Sequence, residues 1–342
     1  MPLVLDAMGS DENPVPEIAA AIEYTKKTGN KLYLVGHKDE IFKHCSESDF
    51  AGLPIEVVHA EDILEMGEKA VKSAQQKPNN SMAVGLTLVK EGKADAFVTA
   101  GNTGAAMFNS LRKLGRIKGV ARPALTPLFP TKDDNCIVLD IGANADCRPE
   151  YLQQFAVMGS VYAEIMRGIE NPRVGLLNNG EEPGKGNELM RGTYPLLENC
   201  GINFIGNVEA KDVYAGKADV VVTDGFTGNI ALKTAEGTAR FIGTLLKDAL
   251  KSGLQSKIGA LIAMPALKQM ARKIDPSAVN GGPLLGLNGL VVKSHGGANA
   301  EGYGNAIRVA VDLARSDYLA KVGTNLARMA DMAEVTANAD EE

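Results

Sequence analysis

Lys185 stands between two glycines, Gly184 and Gly186, in a loop that begins Gly180-Glu181-Glu182-Pro183. A lysine on such a loop either reaches a phosphate as a point charge or is a solvated loop cation. His295 follows the apolar run Leu290-Val291-Val292-Lys293-Ser294 and precedes Gly296-Gly297. With Lys293 nearby, it could donate to an anion or a leaving group, or serve as a structural hydrogen-bond partner. Gly101-Asn102-Thr103-Gly104 and Asp224-Gly225-Phe226-Thr227-Gly228-Asn229 each end an apolar run and open a helical one. Turns of this kind aim backbone N–H groups and the positive end of a helix dipole at an anion. Ordinary capping explains any one of them; several on one edge point to a ligand. The chemistry that fits is a set of fixed donors around a phosphate or oxyanion rather than an acid–base pair.

Familiar nucleotide and nucleophile motifs fail. The stretch 180–186 is one residue short of a P-loop, and Gly186 stands where Ser or Thr would bind magnesium. Gly184-Lys185-Gly186-Asn187-Glu188-Leu189 lacks the third glycine of a dinucleotide fingerprint, and no G-x-S-x-G elbow occurs. Cys45, Cys136, Cys147 and Cys200 show neither C-x-x-C nor zinc spacing. Cys147, in a polar loop, is either a reactive thiol or a reduced bystander. His37, His44 and His59 are scattered and read as surface residues.

The elements that must hold these residues follow one recurring pattern: a short β-branched run ends in Gly, Asn, Asp or Thr, then a helical stretch begins. Strands are predicted near 3–7, 31–35, 55–59, 95–99, 136–141, 173–177, 203–206, 219–223 and 289–293. Helices are predicted over 14–28, 61–76, 81–92, 103–114, 149–168, 186–199, 228–252 and 304–333. Alternation of this kind implies a largely parallel sheet with helices on both faces and a ligand crevice at the strands' carboxyl edge. The 342 residues, 45% hydrophobic and 23% charged, suit one α/β domain spanning 1–342. A net charge of -6 argues against nucleic acid as a partner. The N-terminus lacks a basic signal-peptide region, and no apolar run approaches the ~20 residues of a membrane span. The expected location is therefore cytoplasmic or peripheral to a membrane. The tail Asp340-Glu341-Glu342 is expected to fray.

Residues 253–275 form a projecting unit. Leu254, Ile258, Leu261, Ile262, Met264 and Leu267 recur at near-helical spacing, flanked by Lys251, Lys257, Lys268, Arg272 and Lys273. Pro265 should break the run into two helices with an apolar tip. The apolar face packs on the core, packs on a second subunit, or touches lipid with lysines at anionic head groups.

Several segments coincide in one family. They are Asp6-Ala7-Met8-Gly9-Ser10-Asp11, Gly101-Asn102-Thr103-Gly104-Ala105, Asp140-Ile141-Gly142-Ala143-Asn144 and Arg173-Val174-Gly175-Leu176-Leu177-Asn178. Asn203-Phe204-Ile205-Gly206-Asn207-Val208-Glu209, Asp224-Gly225-Phe226-Thr227-Gly228-Asn229 and Lys293-Ser294-His295-Gly296 follow in the same order. The chain resembles the phosphate acyltransferases of bacterial phospholipid synthesis, which make acyl-phosphate from acyl-acyl-carrier-protein. The resemblance implies a three-layer α/β/α fold like that of the isocitrate and isopropylmalate dehydrogenases and of phosphotransacetylase. It implies orthophosphate as acceptor, a homodimer, and no metal, nicotinamide or other cofactor.

By the same resemblance, Lys185 and Asn229 fall on catalytic positions, joined by His295. Gly101, Asn102, Thr103, Gly104, Asn144, Asn178, Asn207, Asp224, Gly228 and Lys293 fall on the substrate and phosphate side. Leu254, Ile258, Leu261 and Ile262 become membrane contacts on an anionic surface, with a membrane glycerol-3-phosphate acyltransferase as a further candidate partner. Departures from the family pattern are Ser10 for a second glycine, Asn280-Gly281-Gly282-Pro283 for Gly-Gly-Ala-Pro, and Gly297-Ala298-Asn299 for two serines and Asp. Competing readings are a phosphotransacetylase using coenzyme A, a nicotinamide dehydrogenase, and a non-catalytic membrane scaffold.

Overall fold

The computed structural model describes residues 1–65, 67–274 and 280–339. Its first half runs β1 (Leu3–Asp6), α1 (Val15–Thr28), β2 (Leu32–Gly36), α2 (Lys38–Phe42), β3 (Ile55–His59), α3 (Ala70–Gln76), α4 (Ser81–Lys90), β4 (Ala96–Thr99), α5 (Thr103–Lys113) and β5 (Ala124–Leu125). Next come β6 (Leu128–Pro130), β7 (Asn135–Leu139), α6 (Pro149–Arg167), β8 (Val174–Leu177), α7 (Glu188–Glu198), β9 (Phe204–Val208), α8 (Ala210–Ala215) and β10 (Val220–Val222). The chain closes with α9 (Gly225–Lys251), α10 (Leu254–Ile274), β11 (Gly282–Leu285), β12 (Leu290–Lys293), α11 (Ala300–Arg315) and α12 (Tyr318–Ala339).

The strands form two sheets, ordered β3-β2-β1-β4-β12-β11-β5 and β6-β7-β10-β8-β9. The first is parallel from β3 to β12, the second from β7 to β9. The pleat explains the three layers. Leu3 and Leu5 share one core with Ile18 of α1 and Ile307 of α11, while Val4 points the other way to Met82 and Leu86 of α4. In the second sheet Ile137 and Leu139 face Phe155 of α6, and Val138 joins the opposite core with Val221 and Val213. Strands buried on both faces must be apolar throughout, which is why they read as near-continuous apolar runs.

The sheets are joined where the chain passes from β5 to β6. Leu125 accepts from the Ile141 N–H at 3.1 Å, and Pro127 accepts from Val138 at 3.2 Å. β5 lies antiparallel to β11, which lies antiparallel to β12. β5 therefore climbs toward the carboxyl edge of the first sheet and hands the chain over beside the carboxyl end of β7. The two carboxyl rims flank this Leu125–Asp140 junction.

Some expectations need correction. Within 61–76 only Ala70–Gln76 is helical; Asp62 pairs with Asn80 in an isolated bridge, and the Ile63 carbonyl takes the Lys77 ammonium at 2.8 Å. Met66 lies outside the described residues. The helix expected over 304–333 is two helices. Ser316 Oγ accepts from the Tyr318 N–H at 3.2 Å and donates to Leu313 at 2.7 Å, ending one helix and starting the next. Pro265 does not break its run: α10 is continuous across it. The bond that Pro265 cannot make would go to the carbonyl of Leu261, a residue 71% exposed and open to water. The hairpin is instead the distal part of α9 and α10, turning at Ser252-Gly253. Asp275 and Asp340–Glu342 lie outside the described residues.

Candidate active site

The first rim is wired through a buried carboxylate. Asp6, at the end of β1, accepts from Thr99 Oγ1 at 2.6 Å and from the Met8 N–H at 3.0 Å. Thr99 Oγ1 in turn accepts from the Gly101 N–H at 3.0 Å. Burial raises the Asp6 carboxyl above its usual range. The loops after β1 and β4 are pressed together here: a Cβ on Gly9 would sit 2.6 Å from the Gly101 nitrogen, so only glycine fits. Asn102 then caps α5, accepting from Ala105 at 3.2 Å, with Thr103 and Gly104 in the first turn.

Lys293, at the end of β12, is half-buried beside this network. Its ammonium donates to the Ala100 carbonyl at 2.9 Å and also to Ser294. Burial pushes its pKa down to about 8; Asp6 and Asp11 pull it back up, and Lys233 of α9 pushes the same way as burial. Lys233 belongs to α9, the helix that opens the second rim. Lys233 is one helical turn beyond Asn229. His295 is exposed, and its Nδ1 accepts from the Gly297 N–H at 3.1 Å. A neutral ring therefore carries its proton on Nε2. Asn280 fixes this corner, accepting from the His295 N–H at 2.9 Å and donating to Ser294 Oγ at 2.7 Å and Gly302 at 2.9 Å.

The second rim is built on Asp140. Its buried Oδ1 accepts from Leu125 at 2.9 Å and Ala143 at 3.2 Å. Its Oδ2 accepts from the Asn144 backbone at 2.6 Å and side chain at 2.9 Å. Burial lifts this carboxyl to about 6. Asn144 also donates to Pro123 at 2.7 Å, so its amide is committed to the junction between sheets. Asp224 caps α9, accepting from the Thr227 N–H and Oγ1, both at 2.8 Å. The helix start lies against the Asp140 loop so closely that a Cβ on Gly228 would fall 2.1 Å from the Asp140 carbonyl. Asn229 is exposed beside Gly142, whose added Cβ would lie 3.7 Å from the Asn229 Cβ.

Lys185 is placed differently. It is exposed and lines an open recess of about 550 Å³ with Asn179, Glu181, Glu182, Glu209 and Lys211. Asn229 and His295 do not line this recess. Asn178 and Asn207 act as braces for the loop: the first donates to the Lys185 carbonyl at 3.1 Å, the second to Glu182 at 2.8 Å. The loop still belongs to the same rim, because β8 and β10 are parallel neighbours. Carboxylates of Glu181, Glu209 and Asp212 lie within 4.8 Å of one another. Lys217 pairs with Glu181 at 3.1 Å and with Asp212 at 3.7 Å, and Lys211 pairs with Glu209, so cations already neutralise the group.

Burial pushes the Cys147 thiol up to about 12, which disfavours the thiolate there. Asp6, Asp140 and Asn280 were not singled out from sequence as site residues. The two aspartates carry one signal, an Asp closing an apolar run just ahead of glycine, in Asp6-Ala7-Met8-Gly9 and Asp140-Ile141-Gly142.

The profile of a family described as a fatty acid synthesis protein matches residues 1–321. A phosphate acyltransferase of Dictyoglomus turgidum is 44% identical over 333 residues, 97% of this chain and 99% of that one. The chain belongs to the phosphate acyltransferase family. A second member, from Acidobacterium capsulatum, is also 44% identical, over 96% of this chain and 98% of its own. Among solved structures, a phosphotransacetylase from Streptococcus pyogenes superposes with a TM-score of 0.61, covering 91% of this chain and 93% of that chain. At 17% identity that likeness shows the α/β/α fold alone. This phosphate acyltransferase is thus an enzyme of acyl transfer in lipid synthesis.

Proposed function

We propose that the chain transfers a fatty acyl group from acyl-acyl-carrier-protein to orthophosphate, releasing acyl-phosphate for phospholipid synthesis. The observation that carries this reading is the meeting of two amide-rich rims at one junction, where the Leu125 N–H donates to Asp140, with the half-buried Lys293 on one rim and the start of α9 on the other. A phosphate oxygen attacks the thioester carbonyl; the new C–O bond forms, the C–S bond breaks, and the carrier thiolate leaves and takes up a proton. Phosphate is already anionic near neutral pH and needs orientation more than deprotonation. Lys185, on its braced loop, screens and aligns it. Asn229 and the amides of Asn102 and Thr103 hold the developing oxyanion. Lys293 or the Nε2–H of His295 meets the departing thiolate.

The hairpin supports a peripheral membrane role. Leu261 and Ile262 are 71% and 78% exposed, and Leu254 and Ile258 lie on the same helix. α10 packs closely on α9 and on little else, so the hairpin stands away from the two sheets. No described helix is long and apolar enough to cross a membrane. Phe241 and Leu245 extend the exposed apolar surface along α9, which a second copy of the chain would cover in a homodimer.

The test is incubation with acyl-carrier thioester and orthophosphate. Free carrier thiol and acyl-phosphate are expected in equal amounts, at a rate that depends on phosphate. Transfer from acyl-coenzyme A with no turnover of the carrier thioester would move the assignment to a phosphotransacetylase-type donor.

A further inference from the structure

From Ala96 to Lys132 the chain carries Arg112, Lys113, Arg116, Lys118, Arg122 and Lys132 and no acidic residue, within a protein of net charge -6. Arg112, Arg116, Lys118 and Arg122 are exposed. None of the four pairs with a carboxylate among the described residues. The Arg116 guanidinium instead donates to the Ala121 carbonyl and braces the loop. Arg116, Lys118, Leu111, Ile117 and Val120 surround an open concavity of about 460 Å³. Arg122 lies 6.0 Å from the ring centre of Tyr151, next to the exposed Arg148 at the start of α6.

Both ends of this basic segment are rooted at the candidate site. α5 leaves the first rim at Thr103 and spans ~16 Å. The chain comes back at Pro123 and Leu125, which bond Asn144 and Asp140 of the second rim. The segment has no large exposed apolar side chain, in contrast to α10. A surface of unpaired cations without apolar insertion suits an acidic soluble protein better than a lipid interface. We infer that the 112–122 face docks the acidic carrier protein, so that its thioester arm enters between the rims. The inference rests on the reading that a carrier thioester is the acyl donor.

The test uses Arg112→Glu/Lys118→Glu, which spares the brace at Arg116, and Lys113→Glu/Arg122→Glu as an independent second variant. Carrier binding is read by fluorescence anisotropy with a labelled acyl-carrier protein, beside steady-state turnover. The expected result is about tenfold weaker carrier binding and a carrier KM raised to match. Turnover of carrier-free acyl-pantetheine and binding to anionic vesicles should not change. Wild-type affinity should fall as salt is added. Unchanged carrier affinity in both variants overturns the docking face, as does lost vesicle binding with carrier affinity intact. Wild-type protein that binds the carrier but releases no thiol with phosphate would overturn the donor reading and leave the docking face standing. Wild-type protein that does not bind the carrier overturns both.

Discussion

Lys293 and Lys185 occupy opposite kinds of place. Lys293 ends a central strand, is half-buried, is fixed by the Ala100 and Ser294 carbonyls, and has its charge disfavoured by burial. Lys185 rides an exposed loop held from below by Asn178 and Asn207, among the acids Glu181, Glu182 and Glu209. The first is positioned before any ligand arrives; the second can move toward one. A fixed cation suits a group whose place is set by the fold, such as the leaving thiolate. A mobile cation suits a small diffusing acceptor such as phosphate. The two rims divide the reaction between them in this account.

The largest effect should come from removing the proposed catalytic groups of the second rim. Lys185→Ala and Asn229→Ala should each lower turnover by about a hundredfold or more, the size expected for losing one oxyanion donor at about 2.7–4 kcal/mol. Both positions are exposed, so melting temperatures should barely move. A folded variant with near-full rate would remove that residue from the mechanism. Gly228→Ala comes next, since its Cβ would collide with the Asp140 carbonyl at 2.1 Å. A stability loss of about 1–3 kcal/mol is expected by thermal or denaturant unfolding, with turnover falling as Asn229 shifts. Wild-type stability and rate in Gly228→Ala would mean that the start of α9 is not clamped to the second rim.

A gentler effect comes from pH, through Lys293. Lys293 loses its proton near pH 8, so turnover that needs its charge should decline as pH rises through 8. Its folded pKa lies below the ordinary lysine value of 10.5, so its charge opposes folding below pH 8. That opposition is relieved between 8 and 10.5. Lys293 thus contributes opposite slopes to the activity and stability profiles over that window. Lys293→Met should abolish the alkaline limb assigned to this residue; a limb that persists belongs to another group. The smallest effect on chemistry should be Leu261→Glu on the hairpin. It should weaken co-sedimentation with anionic vesicles while leaving the rate on soluble substrate unchanged. Undiminished vesicle binding would assign that face to protein packing.

The parts of this architecture visible in sequence are those that follow a single physical rule. Strands buried on both faces had to be β-branched runs, and Val4, Val98, Val138 and Val221 lie in such runs. Helix starts at Asn102 and Asp224 showed because a short polar side chain there caps the helix, as both do. The short strands β5, β6 and β11 were not legible, since Pro123, Pro127, Pro130 and Pro283 interrupt any pattern and their pairing depends on distant partners. At the site, Lys185 and His295 stood out by type. Asp6 and Asp140 did not, because a carboxylate within an apolar run gains its meaning only from the N–H and O–H donors that the fold gathers around it. Asn144, Asn178 and Asn207 were legible as positions, but their donors are used to tie loops together.

On the proposed mechanism the rims supply charge and position, not a nucleophile that carries the acyl group. Intact-protein mass spectrometry after mixing the enzyme with acyl-carrier thioester in phosphate-free buffer tests it most directly. An unchanged protein mass is expected, with rapid thiol release once orthophosphate is added to the same sample. A protein mass increased by one acyl group before phosphate is present would contradict it.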